Sequence, residues 1–368
     1  MKVEGKESKR LLSLDALRGF DMFFLMGGGA LLLSLSSLLP ENVSAVIVEQ
    51  MGHKEWHGFA FYDLIFPLFL FLAGISFPFS LAKVGRAKHR MLFKIVRRAL
   101  LLVFLGVIYN GLLNFDFANL RYASVLGRIG LAWAIAALIY LYAGRKVSVV
   151  ISFVILLGYW ALLALMKAPD ALPEISKYSM EGSIAGYVDR LFLPGVLHSG
   201  IHDPEGLLST LPAVVTAMSG IFTGEFVRQG KQNGYKRVGV MLVASVVLLA
   251  TGYIWGMVFP INKNLWTSSF VLFAAGWSLL LFAIFYLVID VIGLKGWTFF
   301  FRVIGMNSIT IYLLQQFVDC HKPVQTIFGG LLSLFPEQYY AALYWCCYVF
   351  VCWALLYFLY RKGVFLKV

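Results

Sequence analysis

The stretch G-H-K-E-W-H-G-F-A-F-Y-D-L-I-F-P-L-F-L-F-L-A-G-I-S-F-P-F-S-L-A, Gly52–Ala82, sets two kinds of sequence back to back. From Leu64 to Ala82 no charged residue occurs. A run of that length suits one crossing of the ~30 Å hydrocarbon core of a bilayer by an α-helix. The run is continuously apolar, whereas a membrane-spanning strand would alternate apolar and polar residues. Just ahead of it, between Gly52 and Asp63, two histidines, a glutamate, an aspartate and a tryptophan crowd together.

Outward from this stretch the apolar pattern recurs along the chain. Hydrophobic residues make up 60% and charged residues 14% of the 368 residues, and the mean hydropathy is +0.80. That balance excludes a soluble globule, whose surface needs more charge. Spans are expected over about residues 14–39, 59–82, 92–113, 122–143, 147–167, 207–227, 237–260, 268–292, 298–318 and 338–360. The expected fold class is all-α: a polytopic membrane protein of about ten transmembrane helices with the lipid bilayer as its solvent.

A net charge of +12 would suit nucleic acid if it formed one patch. Instead Lys2, Lys6, Lys9 and Arg10, the loop K-V-G-R-A-K-H-R, Arg145 and Lys146, the loop V-R-Q-G-K-Q-N-G-Y-K-R, and Arg361 with Lys362 fall in alternate connections. They mark one side of the membrane, cytoplasmic by the positive-inside rule, and an even number of spans puts both termini there. No nucleic-acid partner is expected. His53, His57, His198, His202 and His321 then face outward with most of the loop acids. The first helix reads as an uncleaved anchor, its apolar stretch being too long for a signal peptide. Cys320, Cys346, Cys347 and Cys352 show neither metal-site nor disulfide spacing, and no metal is expected.

No linker divides the chain, so residues 1–368 read as one transmembrane domain. The longest connection, about residues 168–206, contains Tyr178, Tyr187, Phe192 and Leu193 as apolar material and reads as an ordered outer lid. The G-x-x-x-G spacings at Gly220–Gly224 and Gly252–Gly256 allow close helix contact, which permits a homodimer without requiring one. Gly27, Gly28 and Gly29 leave a helix backbone uncovered, as suits the close approach of a ligand or of another helix.

Several residues offer chemistry. His53 can exchange protons near neutral pH, with Asp63 or His57 to orient it and Trp56 as a flat stacking face; the same residues would also serve as an interfacial belt. His198 and His202 have i, i+4 spacing, but Gly200, Pro204 and Gly206 argue against a helix, and so favour sugar binding or capping over a metal site. Asp203 is placed to cap the next helix, with Glu205 in its first turn. Arg18, Arg97, Arg98 and Arg302 either snorkel to headgroups or converge as an anion site for phosphates. Asn262, Lys263, Asn264 and Trp266 offer donors, acceptors and a ring to a sugar. Asn307 and Ser308 either bond to their own helix or meet a ligand amide.

Taken in order, S-L-D-A-L-R-G at Ser13–Gly19, the glycine run, H-x-x-W-x-G-x-x-x-x-D-L-x-F-P from His53 to Pro67, G-R-I-G-L-A at Gly127–Ala132, D-P-E-G-L-L-S-T-L-P at Asp203–Pro212, N-K-N-L-W and G-M-N-S-I resemble the heparan-α-glucosaminide N-acetyltransferase family. The resemblance implies acetyl transfer from cytosolic acetyl-CoA to the amino group of a glucosamine-type sugar across the membrane, with His53 catalytic. It suggests a bacterial-type member without the family's luminal domain, in the cytoplasmic (inner) membrane. Animal members carry an asparagine where this chain has Leu25, and lack the segment at about Leu31–Gln50. On this view the acetyl-CoA site draws on Arg18, Gly27, Gly28, Gly29, Arg98, Arg302, Asn307 and Ser308. The acceptor site draws on Trp56, His198, Asp203, Glu205, Asn262, Asn264 and Trp266. Transport of an amino sugar such as N-acetylglucosamine and O-acylation of an envelope glycan are the alternative readings.

Overall fold

A computed structural model describes residues 11–85, 87–230 and 233–366. The orienting residues Lys2, Lys6, Lys9, Arg10, Arg86 and Lys231 lie outside them. The helices are α1 Leu12–Phe23, α2 Gly29–Ser36, α3 Glu41–Met51, α4 Ile65–Val84 and α5 Lys88–Tyr109. They continue as α6 Val125–Leu165, α7 Ile184–Phe192, α8 Leu207–Gln229, α9 Gly234–Gly256 and α10 Ser268–Tyr286. The last are α11 Thr298–Met306, α12 Ser308–Phe317, α13 His321–Leu332 and α14 Glu337–Arg361. Among the described residues, extended pairing is confined to two isolated bridges, Arg121 with Gly195 and Lys167 with Ser183.

Among the described residues, seven helical segments are long and apolar enough to cross a membrane: Leu12–Ser36, Phe61–Val84, Val125–Leu165, Leu207–Gln229, Gly234–Gly256, Ser268–Val291 and Glu337–Arg361. The other expected spans differ for physical reasons. α5 carries Lys94, Arg97 and Arg98 inside its apolar stretch. α6 combines two expected spans in one run, with Gly144 at φ 72° between them. The expected span over 298–318 is two short helices that part at Asn307, whose φ and ψ are −116° and 22°.

The chain forms two compact units. One comprises residues 11–34, 233–239 and 281–366 of the described chain. Here α1 and α11 meet backbone to backbone. A Cβ on Gly19 would overlap the Phe301 carbonyl, and one on Gly305 would overlap the Asp15 carbonyl and stand 2.8 Å from the Gly19 nitrogen. Two glycines of the family-like motifs are thus required by packing. Phe20 and Phe23 stack edgewise on Phe301 beside this contact.

α1 leads into α2 through a wide π turn, Phe24–Gly28, in which Gly27 takes φ 120°. The turn exposes the Leu25 carbonyl, which accepts a hydrogen bond of 2.7 Å from Gln315 Nε2. The Tyr348 ring of α14 comes within 2.9 Å of the place a Gly27 side chain would occupy, and the Phe23 ring fills that of Gly28. Of the two approaches that the glycine run permits, the one seen here is that of a helix.

The second unit comprises residues 35–85, 87–230 and 240–280 of the described chain. Its centre is the seam between α4 and α8. α4 is apolar all round, with Leu70, Phe71, Leu72, Ile75 and Phe77 buried. Gly74 of α4 faces the Ala217 carbonyl, while Gly220 and Gly224 of α8 face the carbonyls of Phe71 and Ile75. In lipid the gain comes from this close packing, since hydrocarbon tails supply no hydrophobic drive between helices. Gly252 of α9 lies in the same way against Phe273 of α10. The small-residue faces that would permit a homodimer are used within the chain.

Candidate functional site

The second unit brings together three segments that are distant in sequence: residues 53–63, 186–209 and 260–267. In the first, α3 ends at Met51 and the chain turns back through Gly58, whose N–H donates to the Ile261 carbonyl at 2.9 Å and whose φ is +118°. Asp63 stands in a short 3-10 turn, Phe61–Leu64, and its Oδ2 accepts the N–H of Ala60 at 3.1 Å. The carboxylate is thereby fixed at a helix N-terminus, where negative charge is favoured. Its other oxygen, Oδ1, lies 2.7 Å from His53 Nδ1. Asp63 is buried while the His53 side chain is 52% exposed, so one side of the pair is locked and the other open.

The loop after α9 completes this corner. The Asn262 side chain accepts the N–H of Leu265 at 2.8 Å and lies 3.3 Å from His57 Nδ1. Thr267 bonds back to Asn262, and Trp266 is held at φ 51°, in the left-handed region. The knitted loop presents Lys263, whose Nζ is 3.4 Å from Asp63 Oδ1 and 3.0 and 3.4 Å from His53 Nδ1 and Nε2. Burial pulls the Lys263 ammonium below the usual lysine range, against the opposing pull of Asp63. Burial likewise lowers the His57 imidazole.

The acceptor candidates divide. Trp56 is half-buried, its Nε1–H donating to the Tyr178 carbonyl at 2.6 Å and its ring edge-on to His202 at 5.4 Å. Asn264 donates to the Glu55 carbonyl at 3.2 Å. Trp266 is buried, its ring under the Arg128 guanidinium at 5.0 Å and its Nε1–H on Thr216, so its stacking face is already occupied. His198 is exposed and His202 fully buried, in a loop without helix. Burial pushes His202 down to about 4, which keeps it neutral. Among the described residues no three His, Cys, Asp or Glu side chains gather as a metal site.

Asp203 and Glu205 face inward to Arg121, a residue that no motif marked. Arg121 donates from Nε and Nη2 to the two oxygens of Asp203 at 2.8 and 2.6 Å, and also from Nη2 to Glu205. Burial alone would raise the Asp203 carboxyl; the bonds from Arg121 outweigh it and hold it below the ordinary range. The expected cap is corrected: α8 begins at Leu207, beyond both carboxylates, and its first N–H is taken at 2.8 Å by Asp189 of α7. Burial lifts Asp189 to about 7 despite that bond. The segment expected as a lid is folded, with α7 tied to the loop by Arg190 on Asp170 at 2.7 Å.

The donor candidates lie in both units. Arg18 and Arg302 belong to the first, where Arg18 is 3.6 Å from Asp15 and the buried Nε of Arg302 has no hydrogen-bond partner among the described residues. Asn307 donates to the Val303 carbonyl at 3.0 Å, and its buried Oδ1 has no hydrogen-bond partner among the described residues. Ser308 is buried beside it in sequence. Arg98 belongs to the second unit and stacks on Trp133 at 4.3 Å.

A family model described as a domain of unknown function, DUF5009, matches residues 10–115. The chain is 28% identical over 333 residues to the heparan-alpha-glucosaminide N-acetyltransferase of Homo sapiens, an alignment covering 74% of this chain and 50% of the relative. It is 27% identical over 332 residues to the protein of that name from Mus musculus, with the same coverage. The chain thus spans about half the length of these curated relatives. The resemblance that the motifs carry is matched by sequence similarity along most of the chain.

Proposed function

We propose that this chain, a relative of the heparan-alpha-glucosaminide N-acetyltransferases, is a membrane-embedded acetyltransferase that uses His53 to pass an acetyl group from acetyl-CoA to the amine of a glucosamine-type sugar. The observation that carries the reading is the His53–Asp63 pair: a buried carboxylate 2.7 Å from Nδ1 of an imidazole that is open to approach. With the Nδ1 proton directed at Asp63, the lone pair of Nε2 faces outward as a base or nucleophile.

In the direct route Nε2 takes a proton from the acceptor's ammonium, and the freed amine attacks the thioester carbon. A C–N bond forms, the C–S bond breaks, and the CoA thiolate leaves with its electron pair and takes up a proton. In the covalent route Nε2 itself makes the first attack, and the amine then displaces the acetyl group from the ring. Trp56 and Asn264 stand on the acceptor's side in this reading, while the fully buried Asn262 braces the loop that carries Asn264.

The topology in this reading has ten crossings. The seven long apolar helices become ten when α6 counts twice about Gly144 and α5 and the α11–α12 pair count once each. Both termini and the donor then lie on the cytoplasmic side and His53 on the other, in a bacterial inner membrane. Supplying donor labelled in the acetyl group, without acceptor, separates the routes: label retained on His53 marks the covalent one. Normal transfer by His53→Ala would remove both.

A further inference from the structure

We propose that Lys263 is a further catalytic residue, the cation that meets the negative charge developing on the carbonyl oxygen as the acetyl group is transferred at His53. The proposal rests on the acetyltransferase reading above. A donor aligned with the lone pair of one ring nitrogen cannot also lie within hydrogen-bond distance of the other nitrogen of the same ring. Lys263 Nζ is 3.0 Å from Nδ1 and 3.4 Å from Nε2, so it stands over the ring and in line with neither. The partner that orients the imidazole is therefore Asp63, at 2.7 Å.

This leaves the ammonium beside the reactive nitrogen with N–H groups to spare. Asp63 Oδ1, at 3.4 Å, takes at most one of its three protons. An acyl carbon reacting at or next to Nε2 would have its oxygen within reach of another. The Lys263 side chain is only 19% exposed, so its charge acts with less screening than in water. Its position is set before any substrate arrives, because the loop's own hydrogen bonds fix the backbone on both sides: Asn262 to Leu265, and the Trp266 N–H to the Lys263 carbonyl at 3.1 Å.

The step balances in either route. The attacking nitrogen, of the amine or of His53, contributes its lone pair to the carbonyl carbon. The π pair of the C=O bond moves to oxygen, where the charge is held by Lys263. When that pair returns, the C–S bond breaks and sulfur leaves with its electrons as thiolate. Lys263 keeps its proton throughout. A preorganised donor of this kind is worth about 10²–10³ in kcat.

The simpler role for Lys263 is to neutralise buried Asp63, and a double-mutant cycle separates the two. Acetyl transfer is measured with labelled acetyl-CoA and glucosamine for Lys263→Met and Lys263→Arg, each alone and with Asp63→Asn. The expected result is a loss in kcat of about 10²–10³ for Lys263→Met, with the acetyl-CoA KM within about threefold of wild type. Arginine restores part of the rate, and the methionine loss recurs in the Asp63→Asn background. No further loss in that background would reduce Lys263 to a counter-charge and overturn the proposal, as would full activity of Lys263→Met. Absence of transfer by the wild type would instead remove the acetyltransferase reading itself, and Lys263's role with it.

Discussion

His53 and Asp63 stand ten residues apart and share one hydrogen bond, Nδ1 to Oδ1 at 2.7 Å, in which the carboxylate is buried and the imidazole is not. In the proposed reaction the carboxylate holds the proton on Nδ1 and leaves the lone pair of Nε2 to react. Asp63→Asn offers an amide N–H to Nδ1 and favours the opposite tautomer, with the reactive nitrogen capped by its own proton. The kcat for acetyl transfer is expected to fall by about 10² or more, with little change in the acetyl-CoA KM. Steady-state kinetics check this, and an unaltered kcat would deny Asp63 its orienting role.

Arg121 answers two carboxylates at once, the fully buried Asp203 and Glu205. Arg121→Met removes the counter-charge hydrogen-bonded to both and leaves them the more distant pull of Arg128, at a cost on the order of 3–5 kcal/mol. Lys at the same position keeps the charge but cannot bond to both Asp203 oxygens, so a smaller loss is expected. Thermal unfolding in detergent reads the difference. A melting temperature equal to wild type for Arg121→Met would show that the cluster contributes nothing to the fold.

Asp189 and His202 make opposite contributions to stability as pH changes. Asp189 is raised from 3.8 to about 7, so between those values the fold holds a proton that the unfolded chain has lost, and this contribution falls as pH rises through the window. His202 is depressed from 6.5 to about 4, so its contribution grows with pH across that interval and is complete above 6.5. Asp189→Asn removes the first effect alone. Relative to wild type, the variant is expected to gain stability at pH 8 compared with pH 5, by a few kcal/mol at most. An equal difference at both pH values, in paired melting curves, would show that Asp189 does not titrate in this way.

Arg18 and Arg302 are the first unit's candidates for the phosphates of acetyl-CoA. Each changed to Ala is expected to raise the acetyl-CoA KM about tenfold while leaving that of S-acetylpantetheine, which has no phosphate, unchanged. An unmoved acetyl-CoA KM would remove the phosphate assignment and leave the relation to the acetyltransferases standing.

The sequence made the helices legible where one residue pattern filled one span. Phe61–Val84 and Leu207–Gln229 are such cases, because uninterrupted apolar length has no other common explanation. It was less informative where a backbone feature decides the outcome. The break at Asn307 leaves no mark in an apolar count, whereas that at Gly144, φ 72°, falls in the gap between two expected spans that Arg145 and Lys146 mark. In the candidate site, the contact of His53 with Asp63 could be read from their closeness in sequence. The contacts of His53 with Lys263, 210 residues on, and of Arg121 with Asp203, 82 residues on, arise only when the chain folds. Asp203 and Glu205 looked like substrate ligands because the cation that occupies them stands in another loop.

The most direct measurement is transfer of label from acetyl-CoA, labelled in its acetyl group, to glucosamine by purified protein in detergent, for wild type and His53→Ala. Labelled N-acetylglucosamine from the wild type and none from the variant is the expected result, and it would locate the chemistry at His53. Equal product from both would show that His53 is not the reacting group. Binding of the sugar without any product from folded wild type would contradict the acetyltransferase reading and point to transport.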